Sequence, residues 1–274
     1  MLLFDSKFSG ASLVALLFCV AASSASGDSA EELRPASGSV DLSLREDPMP
    51  ELAPTRLGKI LQRYYREGLG GPENWGRVES LRATGTLEVE TGEFDFSAWQ
   101  KKPDLIKMTL SGNQRELVLA YDGDTAWKSL SGSTADAKPM DAEEARRFIH
   151  SSRFGNHLLY PFEEGKTIRY LDTVPVDGSI CHQIRVELDT GYQVDYFLDI
   201  RSYLELKVVN TDLRTELVSS LTYKDYTREV GMPIAKHVRT EENGEWVSTL
   251  TLDEVKVNQG LMPWMFGMPA TDED

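Results

Sequence analysis

The sequence predicts an α+β chain, mainly antiparallel β, built on a single curved sheet with a few helices against it. Three features carry this reading. Between residues 81 and 257, apolar residues recur at every second position in one short run after another, the mark of half-buried strands. Turn signals separate the runs, among them Ser111-Gly112-Asn113, Asp122-Gly123, Asp177-Gly178, Thr190-Gly191 and Asn243-Gly244. Such connections are too short for the crossover helices that parallel strands require. Helical spacing is confined to a stretch near the N-terminus and another in the middle.

Residues 1–26 read as a secretory signal peptide. Lys7 gives a weak basic start, residues 11–22 form an apolar core, and Ser23-Ser24-Ala25-Ser26 supplies the small residues of a cleavage site. The apolar core is too short to span a bilayer. Phe18 stands before Cys19, where a lipidation signal requires a small residue. Residues 27–54 are rich in Ser, Pro, Glu and Asp and lack a period, as a flexible linker does. The folded domain is placed at 55–270, with an acidic tail at 271–274.

Thr55 is a good helix N-cap, and Leu57, Ile60, Leu61 and Tyr64 follow as one apolar face. Gly68, Gly70, Gly71 and Pro72 end that helix, with a short helical turn expected at 73–76. From Leu81 the period becomes two. Leu81, Ala83, Gly85, Leu87 and Val89 form one strand face, Phe94 and Phe96 the next, then Ile106, Met108 and Leu110, then Leu117, Leu119 and Tyr121. A further strand is expected at 125–130. Asp141-Ala142-Glu143-Glu144 opens a helical insert with a capping-box pattern, and Ala145, Phe148 and Ile149 supply its apolar stripe. A second apolar piece covers 154–162. Strands resume at 166–174, 179–188, 192–199, 204–210, 216–227, 234–240 and 246–257, giving about eleven or twelve in one sheet, a size that curls or splits.

The chemistry is sparse. The 274-residue chain carries 29 basic and 44 acidic side chains, a net charge of −15, so phosphate-rich partners such as nucleic acid are disfavoured. Beyond the signal segment one thiol remains, Cys181, which cannot form an internal disulfide and reads as a half-buried strand thiol. The four histidines fall in no metal-binding spacing, and GxSxG, P-loop, GxGxxG and CxxC patterns are absent. Adjacent acidic pairs such as Glu163-Glu164 point to opposite sides of a strand and do not make an acid–base pair. The expectation is a non-catalytic protein with neither cofactor nor metal. A sheet with one apolar concave face and few helices leaves room for a cavity suited to a hydrophobic ligand.

An ordered set of landmarks goes further. It comprises the helix and Gly-Gly-Pro-Glu-Asn-Trp of 60–75 leading into Val78-Glu79-Ser80-Leu81-Arg82-Ala83-Thr84-Gly85-Thr86, Lys102-Pro103-Asp104, Tyr121-Asp122-Gly123-Asp124-Thr125-Ala126-Trp127, Tyr196-Phe197-Leu198-Asp199 followed by Leu204-Glu205, Tyr223-Lys224-Asp225-Tyr226 with Gly231-Met232-Pro233, and Val257-Asn258-Gln259-Gly260-Leu261 ending in Phe266-Gly267-Met268-Pro269. With these, residues 57–269 resemble the LolA/LolB-like superfamily of periplasmic lipoprotein carriers. The resemblance implies a half-open β-barrel wrapped around helices, a periplasmic location, and an apolar cavity that shields lipid or lipoprotein acyl chains on their way toward the outer membrane. It also implies a lid-holding arginine, for which Arg82, Arg115 and Arg153 are the candidates. On this reading the cavity is lined by Leu87, Val89, Phe94, Phe96, Ile106, Met108, Leu117 and Leu119. Phe148, Leu158, Leu159 and Phe162 then form its lid or plug. The protein is expected to be monomeric. The alternative is a non-catalytic regulatory or sensor module of the cell envelope that binds a protein partner.

Overall fold

The computed structural model describes residues 33–35, 49–112, 115–131 and 136–270. The signal segment, most of the linker and the acidic tail lie outside the described residues. Thirteen strands form one antiparallel sheet: β1 (Ser80–Val89), β2 (Gly92–Lys101), β3 (Leu105–Gly112), β4 (Arg115–Tyr121), β5 (Ala126–Ser129), β6 (Lys138–Pro139), β7 (Lys166–Val176), β8 (Ser179–Leu188), β9 (Tyr192–Asp199), β10 (Glu205–Asp212), β11 (Leu217–Glu229), β12 (Met232–Glu242) and β13 (Glu245–Val257). The order across the sheet runs from β6 back to β1, then from β13 back to β7, so β6 and β7 are the edges and the sheet stays open. Every pairing between sequence neighbours is a hairpin-type step, and β1 with β13 makes the single long-range closure among the described strands. The strand beyond the expected number is β6. Two residues ending in a proline carry no alternation to read.

Curvature has local causes. Register shifts interrupt β1 against β13 at Thr84/Gly85, β12 against β13 at Thr240/Glu241 and β7 against β8 at Tyr170/Asp172, and bulges of this kind bend a strand and raise its twist. At Gly85 the neighbouring strand comes so close that a Cβ would sit 2.1 Å from the Thr251 carbonyl oxygen. Only glycine fits there.

The concave side is filled by helices. Helix α1 (Arg56–Arg63) begins where Thr55 Oγ1 accepts from the Gly58 amide at 3.0 Å, and it buries Leu57, Ile60 and Leu61 as the spacing predicts. Helical structure ends at the glycines, as expected, but its last turn is not α-helical. A π-helical turn over Tyr64–Gly68 continues α1 and a four-residue α2 (Pro72–Trp75) follows. The wider turn lets the adjacent Tyr64 and Tyr65 both point inward, and both are buried. The end of the predicted linker is also packed: Met49 and Leu52 join the main core, and Gln62 Nε2 donates to the Pro50 carbonyl oxygen at 2.7 Å.

Helix α3 (Ala142–Ser152) spans the open side. Asp141 caps it by accepting from the Glu144 amide at 2.9 Å, but Glu144 does not complete the capping box; its carboxylate takes Lys128 of β5 instead. From the same helix Arg146 binds Asp212 of β10, on the far half of the sheet, and Glu143 at 2.9 Å. The 153–165 segment then covers the core without regular structure, burying Phe154, Leu158 and Leu159. Among the described residues no helix is long and apolar enough to cross a membrane.

The Arg146–Asp212 pair is well enclosed, with side-chain exposures of 14% and 3%. Replacing Arg146 with Met should leave the Asp212 charge buried without its guanidinium and lower unfolding free energy by about 3 kcal/mol. Denaturant titration measures this; a loss under about 0.5 kcal/mol would show that α3 is not braced by the pair.

Candidate ligand-binding site

An apolar cavity of about 80 Å³ lies between the concave face and the α1–α2 cover. Leu81, Ala83, Ala98, Val238, Leu252 and Val255 provide its sheet wall, and Tyr64, Leu69 and Trp75 its helical wall. Small residues on the central strands β1 and β2 create the space: Ala83 and Ala98, paired opposite each other, are where larger side chains would fill it. Tyr223 and Tyr226 both line the cavity although they lie three residues apart on β11. Between them Asp225 adopts φ 56, and the strand loses its alternation there.

Polar groups gather at one end. The Tyr64 hydroxyl and Asn156 Nδ2 both donate to Glu205 Oε1, the latter at 2.6 Å, and the Tyr226 hydroxyl donates to the Glu205 carbonyl oxygen at 2.6 Å. Gln100 reaches the cavity from β2. Its amide nitrogen donates to the carbonyl oxygens of Ser152 and Arg153 at 3.1 and 3.0 Å, which fixes where its oxygen points. Gln100 Oε1 and Trp75 Nε1 are buried without a hydrogen-bond partner. A buried unsatisfied polar atom costs about 1–3 kcal/mol, and both of these belong to residues that line the cavity.

All twelve residues that the sequence reading assigned to the lining and lid belong to the main core. Leu87, Val89, Phe96, Ile106, Met108, Leu119, Phe148, Leu158 and Leu159 are buried, and Phe94, Leu117 and Phe162 pack against them half-buried. None of the twelve borders the open cavity, which lies toward the Leu81 end of β1 and across β11–β13. Alternation identified the inward face of the strands. It carried no sign of where along that face the cover leaves space. The glycine run and Trp75 after α1 marked the cover itself. Glu205, at a strand start, stood only as a landmark residue with no role assigned to it, and Asn156, in a loop, gave no signal.

Of the three candidate arginines, Arg82 and Arg115 are exposed on strands, whereas Arg153 follows α3 and pairs with Glu163. The same carboxylate lies 3.2 Å from Lys166 Nζ, which also donates to the carbonyl oxygens of His157 and Leu159. Burial, with the Arg153 charge, pushes the Lys166 ammonium down to about 7 despite Glu163. Nearby, the His150 ring is sandwiched between Tyr192 at 3.7 Å and His157 at 5.1 Å. Burial lowers His150 to about 4 and holds His157 well below the usual histidine range. Cys181 is fully buried in β8 and its thiol is pushed up to about 11, so it is no nucleophile at neutral pH. Among the described residues no cluster of three or more His, Cys, Asp and Glu could hold a metal ion.

The fold has solved counterparts. An outer membrane lipoprotein-sorting protein domain from Vibrio parahaemolyticus is 16% identical, with 71% of this chain and 93% of that chain covered and a TM-score of 0.50. A LolA superfamily protein from Nitrosomonas europaea is 11% identical, with 76% and 96% covered and a TM-score of 0.53. A DUF1329 family protein from Desulfovibrio piger is 14% identical, with 81% and 98% covered and a TM-score of 0.52. No protein-family model and no curated protein matches the chain. The class defined by these likenesses is structural: an open antiparallel sheet curved around helices, the fold of LolA superfamily proteins.

The two stacked histidines make the cover acid-sensitive. Each has a folded-state pKa below its unfolded value of about 6.5, so the unfolded chain takes up protons first as pH falls. Stability from neutral His150 is therefore full above about pH 6.5 and declines toward pH 4, by on the order of 2–3 kcal/mol. Thermal melts across that range should show a falling Tm, with a shallower slope in His150→Gln; equal slopes would rule out this origin.

Proposed function

We propose that this protein is an exported, non-catalytic binding protein of a bacterial envelope that holds a hydrophobic ligand, such as the acyl chains of a lipid or lipoprotein, between its curved sheet and helical cover. The observation carrying this reading is the apolar cavity under α1, walled by Ala83 and Ala98 where a fully packed core would place larger side chains. The signal-like N-terminus agrees with export. The LolA superfamily fold agrees with carriage, as fold-level analogy does and no more.

The energetics explain why such a protein needs a movable cover. Each acyl methylene withdrawn from water contributes about 0.8 kcal/mol, so a long chain is strongly held wherever it is shielded. A carrier has to shield it and still release it. Nondirectional apolar contacts permit this, because loss of the cover removes many small terms together. The cavity of about 80 Å³ is smaller than the roughly 300–1,000 Å³ of ordinary ligand pockets, so an acyl chain enters only as α1 and α2 shift outward.

Gentle purification after export, followed by lipid extraction and mass spectrometry, should recover a stoichiometric acylated ligand. Ala83→Phe, which fills the space, should abolish uptake of a fluorescent fatty-acyl lipid while the protein stays folded by circular dichroism. Uptake unchanged in a folded Ala83→Phe variant would sink the cavity as the binding site.

A further inference from the structure

We infer that the C-terminal turn around Trp264 docks the protein on the surface of a phospholipid bilayer, through the face of the sheet opposite the cavity. The contact is separate from ligand binding under α1.

Trp264 is 75% exposed, and Met262 and Met268 on either side of it are 54% and 40% exposed. Large apolar side chains gathered in the open mark an interaction surface. The turn that carries them is firmly mounted. Leu261 and Phe266 are buried beside Leu105, with Trp99 and Met265 packed against them, and Trp127 Nε1 donates to the Phe266 carbonyl oxygen at 2.8 Å. The short 3₁₀ turn Pro263–Met265 lies between these two anchors, so Trp264 is presented outward from a fixed base.

Charge beside the turn has one sign. Ala98 and Gln100 line the cavity, so Trp99 and Lys101 face the other way. Cross-strand pairing then places Ser80–Lys101–Leu105 on one rung of that face and Arg82–Trp99–Lys107 on the next. These rungs hold three cations and no carboxylate, in a chain with 44 acidic and 29 basic side chains. Among the described residues none of the three makes an ion pair. Arg82 and Lys107 lie 6.0 and 5.6 Å from the Trp99 ring centre, and Glu116 acts on Lys107 only at longer range. On β13 the adjoining Lys256 is already paired with Glu254 at 2.7 Å.

A bilayer surface fits this combination. Indole rings settle at the headgroup level, apolar neighbours enter the acyl boundary, and Arg and Lys meet lipid phosphates. A stable protein interface takes about 20–30 residues a side, far more than one turn offers. The net charge of −15, to which Asp272, Glu273 and Asp274 after the turn contribute, opposes an anionic surface as a whole. Exposed charges are screened beyond about 8–10 Å at physiological salt, so the cations next to the turn govern the contact.

The test is flotation of the purified exported chain with vesicles of phosphatidylcholine alone and of phosphatidylcholine with about 25% phosphatidylglycerol. The chain should float with both. Trp264→Ser should lower the partition coefficient at least about tenfold on both. Arg82→Gln and Lys101→Gln should each weaken binding to the mixed vesicles about fivefold and leave binding to phosphatidylcholine nearly unchanged. All three positions are on the surface, and circular dichroism checks that each variant is folded. Absence of flotation, or equal flotation of folded Trp264→Ser, would overturn the inference. A concentration-dependent dimer that Trp264→Ser breaks, without vesicle binding, would overturn it in favour of a second copy of the chain.

Discussion

A thirteen-stranded sheet with one apolar face has to be covered, and the whole molecule is arranged around that requirement. Lying flat, the sheet would expose its core face; curled, it encloses α1. The curl is held across its open side by α3, whose Glu144 meets Lys128 on β5 while its Arg146 meets Asp212 on β10. Those strands lie eight positions apart in the sheet order, so a single helix can reach both only because the sheet bends. Burial pushes the Asp212 carboxyl upward, but the bonds from Arg146 and the Arg214 amide outweigh it and keep the group below the ordinary carboxylate range.

Inside the curl, the two tyrosines of the π turn connect parts of the chain far apart in sequence. Tyr65 donates to the Leu158 carbonyl oxygen at 2.7 Å, and Tyr64 donates to Glu205. On a regular helix adjacent residues point about 100° apart, and one of the pair would face away from the sheet. The wider turn avoids this, and it ends near Gly68, where a Cβ would come within 2.4 Å of the Tyr203 carbonyl oxygen. The cover is thus close-fitting at its end, yet leaves a cavity beside Tyr64. Tight backbone approach and nearby open space coexist because Gly68 brings the turn onto the Tyr203 loop, while Ala83 and Ala98 draw the sheet wall back.

Polar groups placed in that space carry a stability cost that hydrophobic packing does not require. Trp75 and Gln100 leave buried atoms unsatisfied, and Asn156 and Glu205 occupy wall that apolar side chains would fill more favourably. Proteins keep such groups where recognition is at stake. The two histidines with lowered pKa sit in the His150–Tyr192–His157 stack, with His150 on α3 itself and His157 next in the chain to the cavity residue Asn156.

The sequence by itself determined the antiparallel architecture, the hairpin turns, the Thr55 and Asp141 caps, and the inward faces of nearly every strand. These follow from backbone geometry and from contacts within a few residues, which leave a periodic trace. It did not show β6, too short to alternate, nor the π turn, in which Tyr65 is inward against the helical period. The cavity was beyond its reach for a deeper reason. Leu87 and Leu81 share a strand and a face, yet only Leu81 borders open space. That difference depends on how far the sheet curls and where α1, α2 and the 153–165 segment fall short of filling it. Only tertiary structure decided it, because the contacts responsible, Tyr64 with Glu205 and Tyr65 with Leu158, join residues that no local pattern relates.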